Sequence, residues 1–327
     1  MQMAINHFKY TLGLSTILML CSCSGTKPPS LLVHLHKSNC NQENTYNYSK
    51  NDIPLPINQL QIDTALTARF NLKDLNIANA IGVLDLLSAY IQKSKELKAN
   101  NSLQGQIDLI NIRQKINHQI DLTSLEISSV AAELDCEEER INQIASYLKE
   151  SESKKETKLT VASIILGSMT AIVTGILVST KDESDAADLI GVAVGVADAA
   201  LGIMILNNHR QIEFNHPRNV LKEIWLATET STVYPPSIWY YLNYSKPEKN
   251  EEASLREQLI ENWKAFGQVE SKGKSKKDDF DIYFSEGGMY TTDQLENRAN
   301  MYDQIESLIK LMKQDLRNLS VNLKLLK

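Results

Sequence analysis

The fold is decided by a stretch without glycine or proline, residues 106–150, which reads QIDLINIRQKINHQIDLTSLEISSVAAELDCEEERINQIASYLKE. Apolar residues recur along it mostly at intervals of three or four, which is the spacing of one face of an α-helix. They are Leu109, Ile112, Ile116, Ile120, Ile127, Val130, Leu134, Ile141, Ile144 and Leu148. The pattern predicts one long amphipathic helix, and such a helix needs a partner that covers its apolar face.

The partner is predicted at the other end of the chain, in residues 291–327. Asp293 and Glu296 are spaced to form a capping box at its start. Apolar residues then alternate at three and four in the manner of a coiled-coil seam, namely Tyr302, Ile305, Ile309, Met312, Leu316, Leu319, Leu323 and Leu326. We expect this helix to pack along the long one; the alternative is a coiled-coil surface that recruits another protein.

The proline distribution indicates helix for most of the remaining chain. All eight prolines lie in residues 28–56 or 217–247, and the sequence between these two regions is rich in residues that favour helix. One helix is predicted over residues 76–98 and a second from near Ser102, within a long-helix region that covers 59–158. The predicted fold is an all-α, elongated helical bundle with a coiled-coil C-terminal helix and a central glycine-rich apolar helical hairpin.

The apolar hairpin is predicted in residues 159–208. Its first run, Leu159 to Thr180, has 22 uncharged positions, and after the turn KDESDAAD a second run, Leu189 to Asn208, contains one charged residue, Asp198. Small residues repeat at every fourth position, which allows two helices to approach closely. These packing residues are Ser163, Gly167, Ala171 and Gly175 on the first run and Gly191, Gly195 and Ala199 on the second.

The environment of the hairpin has three alternatives. Its length and apolarity favour a membrane span. The acidic turn and the basic flanks contradict the positive-inside rule for an inner-membrane hairpin, and a charge at mid-bilayer is costly. The basic flanks are Lys154, Lys155, Lys158, Arg210 and Arg218. We therefore expect a hairpin buried between the long helices, with a membrane-active hairpin as the first alternative and a constitutive span as the second.

The amino terminus has the layout of a secretory signal, with Lys9 followed by an apolar run and small residues. The sequence Leu20-Cys21-Ser22-Cys23 resembles the lipobox of bacterial lipoproteins. The resemblance implies a signal peptide over residues 1–22, cleavage before Cys23, and a diacylglycerol and a further acyl chain on Cys23. It also implies attachment to the bacterial cell envelope, and Ser24 favours the outer membrane. Residues 23–58 are then a lipidated N-terminus and a polar tether.

The order of long helices and apolar hairpin resembles the architecture of helical pore-forming toxins of the cytolysin A and haemolysin BL type. The resemblance covers about residues 100–327. In that class an apolar hairpin is stored between amphipathic helices and released into a membrane. Residues 209–290, an irregular helical insertion with the charged loop ESKGKSKKDD, depart from the pattern; short helices are expected there near 219–228, 236–243 and 250–266.

Composition excludes several classes of function. The formal charge is −6, and it becomes −7 once Lys9 is removed, because 33 basic side chains then face 40 acidic ones. A mildly acidic chain without basic clusters argues against nucleic acid as a partner. His34, His36 and Cys40 match no zinc spacing, GKSKK lacks the first glycine of a phosphate-binding loop, and no catalytic constellation is present. We expect no metal, no cofactor and no enzymatic activity.

Two further sets of residues leave alternatives open. Cys40 and Cys136, the two cysteines that remain after maturation, either form a disulfide or are two free buried thiols. An aromatic cluster serves either as core or as an interaction site for a sugar, a lipid interface or a protein. Its members are Tyr234, Trp239, Tyr240, Tyr241 and Tyr244.

The function expected from the sequence is that of a lipid-anchored, non-enzymatic envelope protein acting as a tethered helical scaffold or interaction module. Its partners are the membrane, through the N-terminal lipid, and a protein bound at the coiled-coil surface. The alternative is a membrane-active component, pore-forming or translocating, whose hairpin 159–208 inserts into a bilayer.

Overall fold

The computed structural model describes residues 38, 40, 45–179, 196–205, 210–216, 218–244, 253–269 and 282–325, without the side chains of 169–179. The chain divides into two compact units, Met1–Lys37 and Ser38–Lys327, and every described residue belongs to the second. The predicted signal peptide and the lipidated Cys23 therefore lie outside the described residues.

The described part of the second unit is all-α apart from one small antiparallel sheet, which confirms the predicted fold class. Two 3-10 turns, Lys50–Asp52 and Ile57–Gln59, precede the first α-helix. In chain order the elements are α1 Thr64–Thr67, α2 Leu72–Ala80, α3 Leu84–Ala99, α4 Leu103–Ser179, α5 Val196–Ile205, β1 Gln211–Asn215, α6 Val220–Leu226, α7 Pro236–Asn243, α8 Leu255–Ala265, β2 Gly287–Thr291 and α9 Thr292–Leu325.

The long helix α4 and the C-terminal helix α9 form the centre of the bundle, as predicted. α4 has 77 residues and is therefore about 115 Å long. α9 packs along it more extensively than any other pair of described elements does. The seam residues of α9 are buried, namely Tyr302, Ile305, Ile309, Met312, Leu316, Leu319 and Leu323, and so are the periodic residues of α4 from Ile116 to Leu148. The seam is therefore intramolecular; Leu326 lies outside the described residues.

The start of α9 differs from the predicted capping box. The backbone N–H of Gln294 donates to Thr291 Oγ1 (3.3 Å), and the backbone N–H of Thr291 donates to Gln294 Oε1 (2.9 Å). The capping box is thus formed by Thr291 and Gln294, each two residues before its predicted counterpart, Asp293 or Glu296. The helix starts earlier because Thr291 is the last residue of β2, so the chain passes directly from strand to helix.

The two strands are an element that the sequence analysis missed. β1 and β2 pair antiparallel, with Ile212 opposite Tyr290 and Asn215 opposite Gly287. β1 alternates exposed and buried residues, with Ile212 and Phe214 directed inward. Gly287 has φ +131°, and a Cβ there would meet the carbonyl oxygen of Phe214 at 2.3 Å. Only glycine fits this close approach of two backbones.

The single helix predicted over residues 76–98 is two helices. α2 ends at Ala80 and α3 begins at Leu84, with a bend of 118° between them. The break occurs because Gly82 adopts φ +70°, a left-handed conformation that ends a helix. The apolar periodicity continues through the break, so the pattern alone concealed it.

Residues 45–58 belong to the folded unit, so the prediction of a polar tether is wrong for this part of 23–58. The backbone N–H of Tyr46 donates to the Thr232 carbonyl (3.0 Å), and the Tyr48 hydroxyl donates to the Tyr234 carbonyl (3.0 Å). Ile57 is buried, and Asn79 Nδ2 donates to the carbonyl of Leu55 (2.7 Å). A few aromatic and apolar side chains are enough to hold this otherwise polar segment on the bundle.

Candidate functional site

The two arms of the apolar hairpin lie side by side where they are described. α4 continues without a break into the first apolar run, and Ser163 Oγ donates to Asp198 Oδ1 of α5 (3.0 Å). A Cβ on Gly167 would lie 3.9 Å from Asp198 Oδ2. Small residues at 163 and 167 therefore make room for Asp198, and the charge of the second arm is directed at the first arm.

The other predicted packing residues are placed differently. Ala199 is exposed, so the structure does not bring it into the contact between the arms. The side chain of Ala171 and the surroundings of Gly175 are not described, and Gly191 and Gly195 lie outside the described residues. The stripe of small residues is thus seen in contact only at its first two positions.

The expected burial of the hairpin within the bundle is wrong for the described residues. No residue from Ser151 to Ser168 and none from Val196 to Ile205 is buried. Ile164 is 63 % exposed and Val196 is 67 % exposed, and Val161, Ile165, Ile203 and Met204 are exposed as well. The reason is geometric: α9 begins at Thr292, which contacts Glu152, and from there it runs back along α4, away from this segment, to Lys313 beside Ser128.

Among the described residues, which include the side chains of α4 only as far as Ser168, no single helix is long and apolar enough to cross a membrane. The bent pair α2 and α3, taken together, is long and apolar enough to do so. Its apolar residues, among them Leu75, Ile77, Leu87 and Ile91, are buried in the core.

Both arms of the hairpin are held at their base by Glu152 of α4. The backbone N–H of Arg210, which precedes β1, donates to Glu152 Oε1 (2.6 Å). The hydroxyl of Thr292, the first residue of α9, donates to Glu152 Oε2 (3.1 Å). One carboxylate thus joins α4, the chain that follows α5, and the start of α9; we call these three residues the hairpin root. The sequence offered no signal for Glu152, because its partners are 58 and 140 residues away.

The basic flanks predicted beside the hairpin separate into two groups. Lys154, Lys155 and Lys158 are exposed on α4 directly before the apolar run, and Arg210, directly before β1, is exposed as well. Arg218, by contrast, donates from Nε to Glu133 Oε1 (2.6 Å), and the Glu133 side chain is only 7 % exposed. Arg218 therefore fastens the chain after β1 to α4 and is not part of a basic rim at the hairpin.

A buried polar cluster surrounds His216, which directly follows β1. Tyr290 donates its hydroxyl proton to the carbonyl of Ile282 (2.8 Å), so it accepts from His216 Nε2 (2.8 Å). Burial, and then the nearby charges of Arg298 and Arg140, lower the pKa of His216 to about 2. His216 is therefore neutral in the folded protein, with its proton on Nε2.

We expect the stability of the fold to depend on pH through His216. In the unfolded chain a histidine has a pKa near 6.5, so the unfolded state binds a proton that the folded state excludes. The free energy of unfolding is therefore highest above about pH 6.5. Below that pH it falls by about 1.4 kcal/mol per pH unit, until the pKa of about 2 that His216 has in the folded state is reached. Urea unfolding at several pH values should show this slope in the parent and a shallower one in His216→Phe.

Tyr290→Phe is the matched control for this measurement. It removes the hydroxyl that His216 contacts but retains the histidine, so it should lower stability at every pH and keep the parental slope. Equal slopes in the parent and in His216→Phe would contradict the assignment of the buried neutral histidine.

The aromatic cluster is mainly core. Tyr234, Trp239, Tyr240 and Tyr244 are buried, with Tyr234 stacked on Trp239 at 5.6 Å between ring centroids. Tyr241 is half-buried and donates to Asp315 Oδ2 (2.9 Å). Trp239, Tyr240 and Tyr244 also line a cavity of about 450 Å³ together with Pro54, Leu55 and Pro56.

Cys40 and Cys136 form a disulfide, with 5.5 Å between their Cα atoms. The bond closes a loop between residues 96 positions apart and attaches the start of the second unit to the middle of α4. Ser38 Oγ also donates to the neighbouring Glu137 carboxylate. Of the two alternatives for these cysteines, the structure contains the bonded one.

An acidic cluster between α4 and α9 was also not anticipated. Oxygens of Asp135, Glu138 and Glu306 lie within 4.8 Å of one another. Desolvation, and then the charges of Asp303, Glu306 and Asp135, raise the pKa of Glu138. Lys310 lies 2.5 Å from Glu306 and balances part of the charge. We assign no metal to this cluster.

No protein family, no curated protein and no solved structure matches this chain. The fold and the site alone therefore define its class: an all-α bundle that carries an exposed apolar helical pair on the extension of its longest helix. The resemblances to lipoproteins and to helical pore-forming toxins stay predictions from the sequence.

Proposed function

We propose that this protein is a lipid-anchored, non-enzymatic envelope protein whose apolar hairpin, residues 159–208, inserts into a lipid bilayer. The observation that carries the proposal is the exposure of the apolar side chains on both arms. Ile144 of α4 is fully buried against the bundle, whereas Ile164 of the same helix is 63 % exposed. An exposed apolar surface of this kind is typical of a segment that functions in another environment.

A bilayer fits the dimensions and the charges of the hairpin. The first run has 22 uncharged positions, which as helix span about 33 Å, close to the thickness of the hydrocarbon layer. The single charge of the second run, Asp198, accepts a hydrogen bond from Ser163, so it lies between the arms. A polar group that is satisfied between helices is tolerated in a membrane far better than one that faces lipid.

The expected N-terminal lipid supports the same assignment. Two or more acyl chains on Cys23 would hold the protein stably at a membrane surface, because each buried methylene contributes about 0.8 kcal/mol. Anchoring raises the local concentration of the hairpin at the bilayer and reduces the entropy lost on insertion.

The scaffold hypothesis receives less support. It requires a coiled-coil surface that is open to another protein, but the described seam residues of α9 are buried in contacts within the same chain. Membrane insertion is therefore the better explanation of the apolar side chains that the two described arms leave exposed.

The proposal is tested by Ile164→Glu in protein that begins at residue 24, added to lipid vesicles that are then sedimented. A carboxylate in the hydrocarbon costs several kcal/mol, and about 1.4 kcal/mol is a factor of ten, so vesicle binding should fall at least tenfold. Because Ile164 is exposed, the free energy of unfolding should change by less than about 0.5 kcal/mol.

Ile110→Glu is the matched control, since Ile110 lies on the same helix and is 64 % exposed, against 63 % for Ile164. The control should bind vesicles as the parent does. Equal binding by all three proteins, or an equal loss in both variants, would show that the hairpin is not the membrane-inserting element.

A further inference from the structure

A groove on the surface of α4 lies directly before the exposed apolar segment. It has a volume of about 600 Å³. Its lining includes three lysines, Lys149, Lys154 and Lys158, and three hydroxyl side chains, Ser146, Ser153 and Thr157. Ammonium groups and hydroxyls are the donors that recognise phosphate oxygens in proteins.

The groove and the exposed apolar residues occupy one face of one helix. The lining residues, with Glu150, follow each other from 146 to 158 at intervals of three and one, and the same face continues to Val161, Ile164 and Ile165. Lys158 is only about 4.5 Å below Val161 along the helix axis, and Lys154 about 15 Å below Ile164. A helix that enters a bilayer with Val161 and Ile164 in hydrocarbon therefore places these lysines at the level of the headgroups.

The charges within the groove permit an anionic ligand. Among the described lining residues only Glu150 is acidic, and it lies 2.6 Å from Lys154, while Lys149 lies 2.9 Å from Glu296. The side chains in both pairs are at least 41 % exposed, and such surface ion pairs contribute little free energy. An incoming phosphate can therefore replace either carboxylate at small cost.

We infer that this groove binds the phosphate group of an anionic phospholipid and thereby sets the depth and the membrane preference of the hairpin. The inference rests on the proposed insertion of the hairpin and adds the class of lipid that it selects. Each lysine at an anionic surface contributes about 1 kcal/mol, which corresponds to about fivefold in binding.

The experiment compares Lys154→Gln/Lys158→Gln with Lys95→Gln/Lys98→Gln, a control pair at exposed positions of α3 that removes the same charge. Each protein, beginning at residue 24, is sedimented with neutral phosphatidylcholine vesicles and with vesicles that also contain phosphatidylglycerol. On the anionic vesicles the groove variant should bind about 25-fold more weakly than the parent, about fivefold for each lysine removed, and the control should bind as the parent does. On neutral vesicles all three should bind alike.

The other outcomes overturn specific statements. An equal loss in both variants would mean that only overall charge matters, and a parent that binds both kinds of vesicle equally would remove the headgroup site while leaving insertion intact. A parent that binds neither kind would contradict the proposed function itself. Inorganic phosphate that binds the parent without vesicles, and leaves its binding to anionic vesicles unchanged, would assign the groove to free phosphate instead of lipid.

Discussion

Replacing Cys40 and Cys136 by serine is expected to lower the free energy of unfolding by about 2–5 kcal/mol. The disulfide joins residues 96 positions apart, and closing a loop of that size in the unfolded chain costs about 4–5 kcal/mol in the chain-entropy account. Cys136 is exposed and Cys40 is half-buried, so the serine hydroxyls remain solvated and add no burial penalty. Urea unfolding under oxidising conditions measures the difference.

A reductant provides the control for this prediction. It should destabilise the parent by the same amount as the double substitution and leave the serine variant unchanged. A parent that is insensitive to the reductant and as stable as the variant would contradict the presence of the bond.

Leu319→Ala is expected to lower the free energy of unfolding by about 2–5 kcal/mol. Leu319 is fully buried in the seam of α9, so truncation removes apolar contacts and leaves a cavity inside the bundle. The measurement is urea unfolding of the isolated chain, monitored by the circular dichroism signal of its helices.

Leu325→Ala is the matched control, because it is the same substitution six residues further along the same helix at a side chain that is 75 % exposed. Its effect should stay within about 0.5 kcal/mol. If Leu319→Ala were as mild as the control, the seam would not be stabilised within the chain, and the interpretation of α9 as a surface for another protein would regain support.

The exposed hairpin changes how the remainder of the molecule is understood. α4 is both the central helix of the bundle and the first arm of the hairpin. A movement of the hairpin is therefore transmitted through one continuous helix to the packed pair α4 and α9. Glu152 joins both arms to the start of α9. The bundle thus holds an apolar segment whose described side chains it does not cover.

Much of the helical architecture was predictable, because helical periodicity is local. The seam of α9 and the long amphipathic helix were both inferred from residues three and four apart, and both are present. The break at Gly82 had a visible signal, the glycine itself, but one glycine in a helical pattern costs only about 1 kcal/mol and does not by itself determine a break. The strands β1 and β2 have five residues each, too short for their alternation to stand out in an irregular region.

By itself the sequence determined most of the helical segments, which of their faces are apolar, and where the two apolar runs with small residues lie, since each of these depends on neighbours within a few turns. Tertiary structure alone decided that Cys40 reaches Cys136, that Glu152 joins three distant segments, and that the hairpin extends beyond its covering helices. Whether an apolar face is covered depends on where other helices end beside it, and that is a relation between residues far apart in the chain.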